Sequence, residues 1–212
     1  SHATEVINIE SSSEDEYVCA RRSCPAAERA GQYNELVVDG VVVVFTDGAC
    51  RNNQVALTSQ AGIGAYWGAN HPFNVSAPLK GNEQTNNRAE LAAVIRVLEL
   101  DLRDVEVRTD SSYVINGAKN LGLWRRRGFW TKRREIVNAD LWKHLDAVLA
   151  TRRKESYGLL KVKGHASARD VALGHVALVD KIGNDNADAR AVAGALMRSQ
   201  EWKEREQLGR DS

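Results

Sequence analysis

The spacing of apolar residues changes several times along the chain, and each change predicts an element. Val41-Val-Val-Val-Phe45 is an unbroken, mostly β-branched run, as expected of a central strand buried on both faces. Ala61 to Trp67 alternates small and large residues and predicts a second strand. Phe73 to Leu79 predicts a third, placed at an edge because Pro78 cannot donate to a ladder. From Asn86 to Leu100 the period lengthens, with Leu91, Val94, Ile95 and Leu98 at helical spacing. Val105 to Thr109 alternates as a fourth strand. Ser111–Asn120 and Asn138–Ala150 read as helices, the second with Trp142, Leu145 and Leu149 on one face. Tyr157–Val162 predicts a fifth strand, and the Ala-rich Asn184–Met197 a closing helix. This order predicts an α/β fold, a five-stranded mixed sheet with helices packed on both faces. Residues 1–35 keep no period and read as a flexible acidic leader, apart from the patch Val6-Ile7-Asn8-Ile9. The folded domain is expected over 36–198, with a charged tail over 199–212.

Composition adds exclusions. At 43% hydrophobic and 27% charged, the chain is neither disordered throughout nor fibrous. No apolar run approaches the ~18 residues of a membrane span. Cys19, Cys24 and Cys50 are sparse and odd in number, and read as reduced thiols of an intracellular protein, whether nuclear, mitochondrial or cytoplasmic. The net charge of +1 conceals an asymmetry. Residues 1–46 carry eight acids and three bases, and residues 47–212 carry twenty acids and twenty-six bases. Trp124 to Arg134 alone holds six bases and three aromatics. Such a run suits phosphate contacts and base stacking; read alone, it also suits a solvated charged face.

Four acids stand at the ends of predicted elements. Asp47 follows the buried strand, Glu90 lies in the first turn of the long helix, Asp110 ends the fourth strand, and Asp188 lies in the first turn of the last helix. Taken singly, an acid at a helix N-terminus is a cap or a dipole partner. Asp47 is the exception, because a carboxylate beside a doubly buried strand needs a partner. If strands one and four are parallel neighbours, Asp47 and Asp110 lie side by side at the sheet's carboxyl end, where open α/β sheets carry their sites. Four converging carboxylates suit Mg²⁺ or Mn²⁺.

Six segments then carry a resemblance: Thr46-Asp47-Gly48-Ala49-Cys50, Ala61 to Gly68, Gln84-Thr85-Asn86-Asn87-Arg88-Ala89-Glu90, Thr109-Asp110-Ser111 with Ile115-Asn116-Gly117, Val162-Lys163-Gly164-His165, and Ile182 to Asp188. In order, over about residues 40–198, they resemble type-1 ribonuclease H, particularly the eukaryotic kind. The resemblance implies the ribonuclease H-like fold and an endonuclease that cuts the RNA strand of RNA–DNA hybrids. It implies two Mg²⁺ ions, for which Mn²⁺ substitutes. Asp47 would bridge both ions, Asp188 would complete the site of the ion that activates water, and Glu90 and Asp110 would hold the second. His165 would assist proton transfer or product release. Asn53, Asn86 and Asn87 match positions that contact RNA 2′-hydroxyls. Thr85 and Asn138 match a pocket for a DNA-strand phosphate, and Tyr113 and Trp124 an aromatic channel along that strand. Arg125, Arg126, Arg127, Lys132, Arg133 and Arg134 match a basic protrusion. The resemblance also allows a domain of a retroelement reverse transcriptase, or a degenerate module that binds without cutting. A monomer is expected.

Three departures stand out. Glu83 occupies a position that often holds an Arg of the phosphate pocket, so Lys80 or a neighbour would have to compensate. Leu121 replaces a common Trp and would thin the aromatic channel. The segment 166–183 is long and holds a second Gly-His pair, Gly174-His175, an alternative to His165; a small packed excursion with a helical turn is expected there. Val6, Ile7 and Ile9, followed by Ser and acidic residues, resemble a SUMO-interacting motif, which would add a strand to a partner's sheet. His2, His71 and His144 read as surface or turn residues, and Trp67 and Trp142 as core. Cys50 reads as a packing residue rather than a nucleophile.

Overall fold

The computed structural model describes residues 6–7, 34–52 and 59–210. The expectations for His2, Ile9, Cys19, Cys24 and Asn53, and for residues 8–33 of the leader, lie outside them. The strands are β1 (Val6–Ile7), β2 (Asn34–Val38), β3 (Val41–Arg51), β4 (Gln60–Tyr66), β5 (Gly68–Ala69), β6 (Val75–Pro78), β7 (Val105–Thr109) and β8 (Tyr157–Lys161). The helices are α1 (Asn86–Leu100), α2 (Ser112–Arg126), α3 (Ala139–Ala150), α4 (Ala168–Ala172) and α5 (Leu178–Arg210). Five strands make the main sheet in the order β6-β4-β3-β7-β8. The β3–β7 and β7–β8 pairs are parallel, and the β3–β4 and β4–β6 pairs antiparallel.

The unbroken run of β3 serves two cores. Val42 and Val44 pack with Leu91, Val94, Val114, Leu121 and Trp142 beneath α1, α2 and α3. Val43 and Phe45 face the other way, onto Ala187 of α5. Helices therefore cover both faces. The alternation in β4 has a cause of the same kind. A Cβ at Gly62 or Gly64 would strike the α5 backbone at Ala187, Ala191, Gly194 or Ala195, whereas Ile63 packs beside Ala61 and Leu79. Backbone-to-backbone approach of α5 requires glycine there.

Several boundaries differ from expectation. β2 takes in Asn34 and Glu35, ahead of the expected start at residue 36, because Asp39 and Gly40 (φ 50° and 81°) turn it back onto β3. Glu35, placed in the leader by pattern, has a side chain only 1% exposed. α2 runs to Arg126 and so takes in part of the basic run. α5 starts at Leu178 and continues to Arg210, so residues 199–210 are helical rather than a separate tail. Segment 166–183 contains α4, closed by a capping box between Ser167 and Asp170. His71 is buried against Trp67 and Glu35, not at the surface. Val6–Ile7, read as a strand for a partner's sheet, pairs antiparallel with Leu160 and Leu159 of this chain's own β8.

Candidate active site

β3 and β7 run parallel with Thr46 opposite Thr109, so the residues that follow, Asp47 and Asp110, emerge side by side. Asp47 does not follow the strand, as pattern suggested; it lies inside it, because β3 continues to Arg51 along β4. Past Thr46 the β7 side of β3 is unpaired, and Asp110 turns away there into α2. A Cβ at Gly48 would run into the backbone of Ala89 and Glu90, so α1 packs directly against β3 at this point. Glu90 is the fifth residue of α1, beyond the first turn, and its side chain leans back toward the helix start. Asn86 Nδ2 donates to Glu90 Oε1 at 2.9 Å, and the Ser111 hydroxyl donates to Oε2. One carboxylate oxygen from each of Asp47, Glu90 and Asp110 lies within 4.8 Å of the other two.

Asp188 stands outside that tight trio, though its charge acts on Asp47. It is not in a first turn either. α5 begins ten residues earlier, so a capping role is removed, and a half-buried acid in mid-helix remains to be explained.

Burial pushes the Asp47 carboxyl up to about 8, and the charges of Asp110, Asp188 and Glu90 add to the rise; the Gly48 N–H, 2.7 Å from Oδ1, opposes it. Burial also raises Glu90, helped by Asp110 and opposed by the Ser111 hydroxyl and the Lys161 charge. Among the described residues, no Lys or Arg side chain forms an ion pair with any of the four acids. Lys161 Nζ instead donates to the Asp110 carbonyl at 2.7 Å. An all-carboxylate set that is partly buried, mutually repulsive and without a protein cation among the described residues fits a hard divalent ion.

The surrounding residues divide. Gly164 abuts Asp110 so closely that a Cβ would strike Oδ2; His165 follows it, exposed and left-handed at φ 47°. His175 is also exposed, and its backbone N–H donates to the Asp170 carbonyl at the end of α4. Thr85 caps α1 by accepting from the Arg88 N–H at 3.3 Å. Asn87 is exposed, and Asn86 is committed to Glu90. Asn138 donates to the Tyr113 hydroxyl at 2.9 Å, and that hydroxyl also accepts from Trp142 Nε1 and donates to the Val137 carbonyl.

Glu83 lies 3.4 Å from Arg88 rather than on Lys80. The same guanidinium is forked onto Asp140 and reaches Asn138. Leu121 is fully buried core, not a gap in a surface channel. Trp124 is half-buried, edge-on to Trp142. Arg125 is drawn onto Asp146 at 2.9 Å, off the basic face, whereas Arg126, Arg127, Lys132, Arg133 and Arg134 are exposed. Of the three aromatics counted in the basic run, Trp130 is 54% exposed beside them, whereas Phe129 is buried. Sequence reasoning passed over Gln84, which is buried and binds the Ala61 N–H and the Leu79 and Gly81 carbonyls. Gln84 opens a motif whose later residues drew the attention.

The RNase H family model matches residues 39–196. The chain belongs to the RNase H family. Over 156 residues it is 36% identical to Ribonuclease H of Schizosaccharomyces pombe, covering 72% of this chain and 52% of that protein. Over 162 residues it is 34% identical to human Ribonuclease H1, covering 73% and 50%. The chain therefore spans about half the length of these RNase H relatives. The solution structure of the PFV RNase H domain shares the fold, with a TM-score of 0.57 at 24% identity over 79% of this chain and 98% of that one.

Proposed function

We propose that this chain is a divalent-metal-dependent endonuclease that hydrolyses the RNA strand of RNA–DNA hybrids, leaving 5′-phosphate and 3′-hydroxyl ends, by way of two metal ions. The observation that carries the reading is the trio Asp47, Glu90 and Asp110, with Asp47 pushed up to about 8 where no protein cation answers it. Asp47 would serve both ions, Asp188 one, and Glu90 with Asp110 the other. Mg²⁺ fits these oxygen donors, and Mn²⁺ fits them too. Bound ions supply neutralisation of the phosphodiester and a water of lowered pKa. Water would attack phosphorus and give up a proton, the bond to the 3′ oxygen would break, and that oxygen would take a proton up. His165, on the loop that Gly164 seats against Asp110, would move protons near the site.

Asn86 and Asn87, at the start of α1, would read RNA through its 2′-hydroxyls. Asn86 links that reading to catalysis, because its amide already holds Glu90. Thr85 and Asn138, beside Arg88, would take a DNA-strand phosphate. Arg126, Arg127, Lys132, Arg133 and Arg134 form the basic face, and Trp130 offers it an exposed ring for stacking. The test is incubation with end-labelled RNA–DNA hybrid, duplex RNA and duplex DNA, each with Mg²⁺ and with EDTA. Cleavage of the hybrid's RNA alone, and only with metal, is expected. Hybrid that is bound but uncut would assign the fold to binding instead.

A further inference from the structure

Asn184 lies on α5 one turn before Asp188 and is 2% exposed. Its Nδ2 donates to Asp110 Oδ2 at 3.4 Å. Its Oδ1 is buried and has no hydrogen-bond partner. The orientation of the amide follows from charge. Turned over, it would set its oxygen against a carboxylate, acceptor against acceptor. The oxygen is therefore the atom left over, and a buried acceptor without a donor costs about 1–3 kcal/mol.

The neighbouring cations are engaged elsewhere. Lys161 is on the Asp110 carbonyl, Arg108 on Glu106 and Asp180, and Lys181 on Asp185. The other wall of Asp110 is Gly164, which offers no side chain. Because both heteroatoms of an amide share one carbon, the unsatisfied oxygen sits beside the carboxylate group as well.

We infer that Asn184 is a positioning residue of the carboxylate site: its N–H holds Asp110 toward Asp47 and Glu90, and its carbonyl oxygen accepts from a water carried by a divalent cation. The inference rests on the proposed metal site and adds a residue to it. Mg²⁺ gives up its waters reluctantly, so an acceptor placed for such a water strengthens binding of the hydrated ion. Outer partners of this kind change metal affinity about 10–100-fold when removed.

The test is calorimetric titration of Mg²⁺, then Mn²⁺, into the full chain without nucleic acid. Asn184→Ala removes both groups, and affinity is expected to fall about tenfold. Asn184→Asp loses the N–H toward Asp110 but keeps an acceptor oxygen and adds a negative charge that attracts the ion, so affinity is expected to hold or rise. Cooperative melting of each variant is checked first, and if Asn184→Ala fails to fold, Asn184→Ser takes its place with the same expected loss. On hybrid substrate, raising Mg²⁺ should restore turnover of the Ala variant while KM for hybrid stays unchanged. Wild-type affinity in Asn184→Ala, or an equal loss in Asn184→Asp, overturns the inference. The two readings fail separately. A wild-type chain that binds Mg²⁺ through Asn184 yet leaves hybrids uncut defeats the nuclease alone. A chain that cuts hybrids while Asn184→Ala binds Mg²⁺ normally defeats this inference alone.

Discussion

The two ends of β7 both gather buried acids, and they treat them in opposite ways. Before the strand begins, Glu35 and Asp101 have side chains 1% exposed, and Arg103 is forked onto both. His71 lies 3.2 Å from Glu35, and Trp67 Nε1 donates to Asp101 at 2.9 Å. Burial works to raise Asp101, but the bonds from Arg103 and Trp67 outweigh it and leave the carboxyl below its usual range. Past the strand's other end, Asp47, Glu90 and Asp110 meet with no such cation, and burial and repulsion drive Asp47 upward. The same desolvation penalty acts at both ends. One end is closed by the chain's own Arg103, while the other has no such cation among the described residues. Burial of charge alone does not mark a functional site; burial without an internal counter-charge does.

The contrast is broken most severely at Asp47. Asp47→Asn should reduce hybrid hydrolysis by at least about 10³-fold, read with labelled hybrid, while hybrid binding stays largely intact. It should also stabilise the metal-free protein. A carboxyl raised in the folded state to about 8 contributes stability that is complete below its unfolded value and lost as pH rises through 8. The gain in melting temperature should therefore be near zero at pH 4 and greatest above pH 8. A gain that shrinks with rising pH would contradict the assignment.

At the closed end, Arg103→Met leaves Glu35 and Asp101 buried without their cation. Urea unfolding should show a loss of about 3–5 kcal/mol, with hydrolysis per folded molecule unchanged. An intermediate effect is expected of Gly164→Ala, which forces Asp110 aside. Its kcat should fall about 10–100-fold with little change in melting temperature or KM, and equal loss of stability and rate would reassign Gly164 to the fold. The smallest effect sharpens the contrast at a half-closed site. Glu83 and Asp140 partly neutralise Arg88 beside Thr85 and Asn138. Glu83→Arg should tighten hybrid binding about tenfold, or ~1.4 kcal/mol, at low salt. The same gain on duplex RNA would show that only net charge had changed.

Legibility in the sequence followed locality. α1 and β7 match their expected bounds because their periods are undiluted and Thr85 is an able cap. The turn into β3 carries as local a signal, since Asp39-Gly40 between valine runs is a two-residue hairpin signal, but residues 34 and 35 were absorbed into the acidic leader. The start of α5 was hidden by Gly183, which resembles a break. It is glycine because a Cβ there would enter the Phe45 ring, and that contact exists only after folding. Motif order singled out the four carboxylates, yet nothing local distinguished Arg125, claimed by Asp146, from Arg126 and Arg127, which are exposed. The network of Glu35, His71, Asp101 and Arg103 had no sequence signal at all, because its members meet only when β2, β5 and the end of α1 come together.

The notch that Gly62 and Gly64 cut for α5 has a consequence for how this chain can vary. Backbone contact at Ala187, Ala191 and Ala195 indexes the helix along its axis, as teeth hold a rack. Asp188, next to the first of these teeth, is therefore located from downstream and from the sheet. The stretch ahead of the helix, residues 167–177, does not set its position. That stretch is free to lengthen, shorten or exchange sequence without shifting the carboxylate, whereas Gly183, inside α5, is fixed by the Phe45 ring. The same indexing predicts where variation is forbidden: a single residue inserted between Asp188 and Ala191 would turn the acid about 100° around the helix and take the Ala187 tooth off Gly64 with it, while Ala191 and Ala195 stayed engaged.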